Sequence, residues 1–239
     1  DTDRSRGLGD VYKRQEYLME FGLTRQEATI YLNLMERGMQ TGYEVSKQTG
    51  ISRSNVYRAL AGLVEKGAAY TSEENATRYM GIDVEEFCSN KIRRMEQYKE
   101  ILAVNMPKEH EETEGYLTVS GDEQIQHKIK NMLLSANKRV YLSMSAKNLK
   151  KFIPEISQLI EQKVKVVVLS NKVPDLLGIK FYLTENKEQQ VGVITDSRNV
   201  LTGELGNGEY STCLYSGQSN LVRVFKDSLK NEIKLIELT

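Results

Sequence analysis

Apolar residues in the first third of the chain recur at the three-and-four spacing of helix faces that pack inward. Tyr17, Leu18 and Phe21 form a short stripe ended by Gly22, and Ala28, Tyr31, Leu32 and Met35 form a second that runs to Gly38. Thr24 with Glu27 reads as a capping box, in which a hydroxyl and a carboxylate each accept an N–H left over at the helix start. Thr41 with Glu44 repeats the device for a short helix closed by Gly50. Ser52 caps a third, where Val56, Leu60, Leu63 and Val64 line one side. After Gly67 the period shortens to that of strands, near 68–72 and 77–82, around the polar tip Ser72-Glu73-Glu74-Asn75. Three helices and a hairpin predict a winged helix-turn-helix over 16–83.

Asp83 with Glu86 reads as another capping box, opening a helix over 84–106 that Pro107 stops. Along it Cys88, Ile92, Met95, Lys99, Leu102 and Met106 fall at alternating spacings of four and three, the seam of a coiled coil. That stripe either packs on its own domains or pairs with a second copy. So long a helix between two domains has little else to lie on, so 84–107 is read as a linker and homodimerisation helix. The acidic stretch KEHEETE over 108–114 reads as a linker.

Farther on, strands and helices alternate: strand 115–120, helix 122–136, strand 138–144, helix 147–162, strand 163–170. Strands near 179–184, 190–196, 199–204 and 211–215 follow, with a last helix over 218–237. KVKVVVL is nearly continuous in apolar β-branched residues, as a strand covered on both faces should be. The expected fold class is an α+β N-terminal winged helix-turn-helix, a long dimerisation helix, and a C-terminal α/β domain over 115–239. Its sheet is expected to be mixed and mostly parallel.

Composition narrows the function. No apolar run approaches the ~20 residues that span a bilayer, so no membrane partner is expected. The net charge is zero, so any field attracting an acidic partner must be local; Arg53, Arg58 and Lys66 supply one. Cys88 and Cys213 cannot make a disulfide framework or a zinc site, and His110 and His127 lie at no metal-ligand spacing. A cytoplasmic chain with reduced thiols, no metal and no cofactor is expected. The first fifteen residues show no apolar period, and GLGDVYKRQ resembles a translated sequencing-adapter remnant. Residues 1–15 are therefore expected to be non-native or disordered.

The segment with partner chemistry is 41–66. Reading a major groove needs Arg, Asn or Gln at the leading end of a helix, with small hydroxyl residues that allow close approach. Ser52, Arg53, Ser54 and Asn55 fit, with Tyr57 and Arg58 one turn on; Arg53 is the first choice for a base and Arg58 for a phosphate. Thr41, Gly42 and Tyr43 can direct backbone N–H groups at a phosphate, and Thr77 and Arg78 of the hairpin can touch the adjacent backbone. Double-stranded DNA is thus the expected partner. The alternative is a winged-helix protein-interaction module of the transcription machinery, which the neutral charge and the acidic Glu73-Glu74 wing favour.

Leu23, Thr24, Glu27, Ala28 and Tyr31, followed by Arg53, Ser54 and Tyr57, match the pattern of TrmB-like transcriptional regulators, which the segment 16–106 resembles. The resemblance implies sequence-specific DNA binding by a homodimer, with effector-controlled repression or activation. The C-terminal half is similar to the α/β domain that follows in this family, itself related to phospholipase-D-like folds. Those enzymes carry histidine-x-lysine with an aspartate five residues after the lysine. With Asp196 at the aspartate, Gln189 and Val191 stand where histidine and lysine belong, so no catalytic residue and no enzyme is expected. A phosphodiesterase with a rearranged site is the remote alternative. Larger members of the family add a sugar-binding domain; with the last predicted helix reaching 237, that domain is expected to be missing, which leaves the effector an unidentified small molecule. Asp196, Ser197, Arg198 and Asn199 fall on a predicted hairpin turn, read either as turn-formers or as a ligand site.

Overall fold

A computed structural model of the chain describes residues 2–73, 76–107 and 115–238, with side chains from Asp10 onward. The linker 108–114 and the wing-tip residues Glu74 and Asn75 lie outside the described residues. Two compact units divide at Lys108.

In the first unit, α1 (Thr2–Glu20), α2 (Arg25–Arg37), α3 (Gly42–Thr49) and α4 (Arg53–Glu65) precede a hairpin of β2 (Ala69–Glu73) and β3 (Thr77–Gly81). A two-residue strand, β1 (Gln40–Thr41), pairs with β3, giving the antiparallel order β1-β3-β2. The long α5 (Val84–Asn105) follows. Both predicted capping boxes at Thr24 and Thr41 are complete. Residues 2–15, expected to be non-native or disordered, fall within α1, which runs on to Glu20.

Ile30, Tyr31, Leu34, Val45, Val56, Leu60, Leu63 and Phe87 form the core of this unit. The Tyr31 hydroxyl donates to the Ile82 carbonyl at 2.7 Å, and its ring lies 5.9 Å from Phe87, so α2 holds the start of α5. Burial pushes the Tyr31 phenol up to about 12, keeping it a neutral donor. The Glu27 carboxylate accepts the Thr24 N–H and the Lys66 ammonium, each at 2.6 Å. It lies against Gly62, where an added Cβ would overlap Oε1. Burial pushes the Glu27 pKa up, but the Lys66 and Thr24 bonds outweigh it and leave the group below its ordinary value.

The second unit runs β4 (Tyr116–Ser120), α6 (Asp122–Leu134), β5 (Arg139–Met144), α7 (Ala146–Leu149), α8 (Ile153–Glu161), β6 (Lys165–Ser170), β7 (Lys180–Leu183), β8 (Gln190–Thr195), β9 (Asn199–Glu204), β10 (Thr212–Ser216) and α9 (Ser219–Leu238). The expected helix 147–162 is two helices joined by a 3₁₀ turn at Lys150–Phe152. Pro154, in the first turn of α8, has no N–H to carry one helix through. The seven-stranded sheet is ordered β4-β10-β9-β8-β5-β6-β7. It is mixed as expected, but not mostly parallel. Only β5–β6 and β6–β7 run parallel, and the other four pairs are antiparallel. The connection β8–β9 is a tight turn at Asp196 and Ser197, both at positive φ, and so short a link allows only antiparallel pairing.

Ile125, Ile129, Leu133, Phe152, Ile156 and Leu159 pack on one face of the sheet, and Val222 and Leu229 of α9 on the other. No helix among the described residues is long and apolar enough to cross a membrane.

Gly62→Ala tests the seat of Glu27. Alanine gains up to ~1 kcal/mol of helix propensity, but overpacking against a carboxylate whose other oxygen, Oε2, is held by Thr24 and Lys66 costs about 1–3 kcal/mol. Net destabilisation is expected, measured as faster hydrogen exchange of the α2 and α4 amides; slower exchange contradicts the packing described.

Candidate nucleic-acid interface

The interface is built on α4. Val56, Leu60 and Leu63 are fully buried. Each stabilises the helix by about 1.5–3 kcal/mol, against the ~1 kcal/mol of a capping side chain. So α4 stands although Ser52 makes no capping bond, contrary to expectation. The Ser52 hydroxyl lies instead 3.4 Å from that of Ser54. Ser52, Arg53, Ser54, Tyr57 and Arg58 are exposed, and Asn55 is half-buried.

Residues from three elements meet here. The Arg53 guanidinium sits over the Tyr43 ring, 4.7 Å from its centroid. Tyr57 packs on Gly42, where an added Cβ would come within 2.6 Å of the ring. Thr41 faces Arg78 across the β1–β3 ladder, with Thr77 exposed beside it. Tyr79 of the wing packs against the core that Val56, Leu60 and Leu63 of α4 help to build; burial raises its pKa, and Tyr57 and Glu73 add to it.

Three expectations change. The Thr41 N–H and hydroxyl both donate to Glu44 Oε2, at 2.7 and 2.9 Å, and Gly42 is buried, so the Thr41 N–H is already taken by its own chain. Those two bonds hold the Glu44 carboxyl below its ordinary range, and the Arg78 charge adds to them. Arg78 therefore shares its field with a carboxylate of its own chain. Lys66 is bound to Glu27, which leaves Arg53 and Arg58 as the cations of α4. Finally, Asp83 caps α5 by accepting the N–H groups of Glu85 and Glu86, but Glu86 does not reach back. Its carboxylate accepts the Tyr70 hydroxyl at 3.1 Å and ties the wing to α5, a contact between distant segments that no local motif signals.

On α5, Phe87 is buried and Cys88 is half-buried against the winged-helix core, so Cys88 belongs to its own unit rather than to a free stripe. The other stripe positions, Ile92, Met95, Lys99, Leu102 and Met106, are exposed, Leu102 at 55%. Tyr98 and Ile101 are exposed too and widen the band.

In the second unit the Asp196 carboxylate accepts the N–H groups of Asn137, Lys138 and Arg139 at 2.8–2.9 Å. Burial pushes its pKa up, but these three bonds prevail and lower it. Asp196 is thus a turn-former that pins β5 to β8. Val191, at the lysine position of phospholipase-D enzymes, is buried in the core. A cleft of about 410 Å³ opens between α9 and the sheet. Its floor is the cross-strand row Ser143, Gly192 and Thr202, and Phe225 and Leu229 line it from α9. The Lys187–Glu232 ion pair, 2.5 Å long, borders it.

A family model described as the sugar-specific transcriptional regulator TrmB matches residues 18–85. A second, described as the N-terminal subdomain of the EBD of the transcriptional regulator TrmB, matches 116–232. Protein YrhO of Bacillus subtilis (strain 168) is 26% identical over 235 residues, covering 93% of this chain and 85% of YrhO. The solved structure of TrmBL2, an archaeal chromatin protein, is 19% identical, with a TM-score of 0.45 over 93% of this chain and 97% of its own. Nuc of Salmonella typhimurium, a phospholipase D family member, is 10% identical, with a TM-score of 0.37 over 49% of this chain and 92% of its own.

Asp196→Ala is expected to destabilise the second unit by roughly 1–3 kcal/mol through three orphaned N–H groups. Its lowered folded pKa means that the contribution is complete above the unfolded value of ~3.9 and is lost as pH falls through the folded value. The difference between wild type and variant, followed by hydrogen exchange of the β5 and β8 amides, should therefore shrink at acid pH. A difference constant down to full protonation contradicts this role.

Proposed function

We propose that this chain, which belongs to the TrmB-like family of transcriptional regulators, reads duplex DNA by sequence as a homodimer. One observation carries the reading: α4 buries Val56, Leu60 and Leu63 while its first turns expose Arg53, Ser54, Tyr57 and Arg58. Such a helix enters a major groove without giving up its packing. Arg53 is assigned to a base edge and Arg58 to a phosphate, with Thr77 and Arg78 beside the flanking backbone. Thr41, Gly42 and Tyr43 support α4 from below.

The dimer is assigned to Ile92, Met95, Leu102 and Met106 of α5, with Lys99 at the margin. Two parallel or crossed copies of α5 would bury these side chains and set the spacing of two half-sites. The second unit is assigned a regulatory role without catalysis, since Asp196 is committed to backbone. Its cleft under α9 is of the size that takes a small-molecule effector.

The zero net charge and the Glu44–Arg78 proximity favour a second reading, a winged helix that binds a protein of the transcription machinery. Selection of bound duplexes from a random pool separates the two. A DNA reader returns a preferred, roughly palindromic sequence, and a protein-binding module returns none.

Two variants test the parts. Arg53→Ala should cost ~1–3 kcal/mol of binding and relax preference at one base pair; an equal loss on unrelated duplexes assigns Arg53 to phosphate instead. Leu102→Glu should shift the chain from dimer to monomer in analytical ultracentrifugation, with the winged-helix fold unchanged by circular dichroism. A dimer of unaltered affinity would place the interface elsewhere.

A further inference from the structure

The outward side chains of α4 rest on the first two residues of α3. The Arg53 guanidinium carbon lies over the Tyr43 ring, 4.7 Å from its centroid, and no salt bridge to a carboxylate engages it among the described residues. One turn along, Tyr57 lies against Gly42. Tyr43 itself is 52% exposed, so its ring is no part of the core. Its backbone is fixed nonetheless, because it sits in the turn that the Thr41–Glu44 capping box closes.

A guanidinium over a ring engages it through part of its surface only, and the N–H groups that remain can make two parallel bonds to a base. An unsupported arginine must give up its rotamer freedom on docking; one already held over a ring has lost part of it. From this geometry we infer that Tyr43 is a positioning residue for base selection. Its ring is a shelf that holds the Arg53 fork in the orientation a base edge requires. Sequence preference then depends on a side chain that need not touch a base. The inference rests on α4 being the DNA-reading helix.

The test uses the full chain and two duplexes: the selected sequence, and the same sequence changed at the base pair whose preference Arg53→Ala abolishes. The ratio of the two affinities is compared for wild type, Tyr43→Ala, Tyr43→Phe, Arg53→Ala and Tyr43→Ala/Arg53→Ala. Tyr43→Ala should lower the ratio about two- to fivefold, as expected for the loss of an exposed cation–π stack. Tyr43→Phe keeps a ring face and should retain the ratio. In the Arg53→Ala background, Tyr43→Ala should leave the ratio unchanged. Tyr43→Leu asks the same question if the alanine variant melts early.

A loss equal on both duplexes, or one that persists without Arg53, overturns the shelf and assigns Tyr43 a contact of its own. A wild type that shows no preference between any duplexes overturns the reading of α4 itself, and the shelf with it.

Discussion

Glu27 occupies the third position of α2, where a carboxylate is expected to do no more than satisfy the local backbone. One of its oxygens, Oε2, is instead shared between that backbone, at Thr24, and an ammonium 39 residues away, at Lys66. A charge this enclosed is tolerable only with both partners in place, because an unpaired one is costly to desolvate. Gly62 supplies the room for it. The consequence is directional: α2 and α4 are locked at one separation and one rotation, so the polar start of α4 always emerges on the same side. The placement of Arg53, Tyr57 and Arg58 depends on that lock.

Much of the first unit was legible in the sequence for a physical reason. The boxes at Thr24–Glu27 and Thr41–Glu44 involve partners within four residues, so chain-local chemistry decides them. The same pattern at Asp83–Glu86 misleads because Tyr70, distant in sequence, competes for the Glu86 carboxylate. Exposure of Arg53, Tyr57 and Arg58 follows from helical period alone. What lies beneath them does not: that Tyr43 meets Arg53, or that Gly42 meets Tyr57, depends on how α3 packs on α4. Cys88 kept the heptad spacing, but the winged-helix core lies at that height of α5 and covers it.

In the second unit the strands were legible because apolar β-branched residues mark them, whereas their directions were not. Alternating strands and helices suggested crossovers, but direction is set by connection length. The three-residue turn Asp196–Arg198 reverses the chain, and the pairing of β4 with β10 joins segments that share no local signal. The turn reading of Asp196 was sound because aspartate tolerates positive φ; its three acceptor bonds come from a segment nearly 60 residues earlier.

The anchoring of α5 has a mechanical result. Tyr31, Ile82 and Phe87 clamp its first turn to the winged helix, while the rest of its 22 residues extend with mostly exposed side chains. At 1.5 Å per residue such a rod is roughly 33 Å long, and a tilt of about 5° sweeps its free end by roughly 3 Å. Leverage also works in reverse: a small push at the distal end, applied through a stiff arm clamped to the core, turns the winged helix with it.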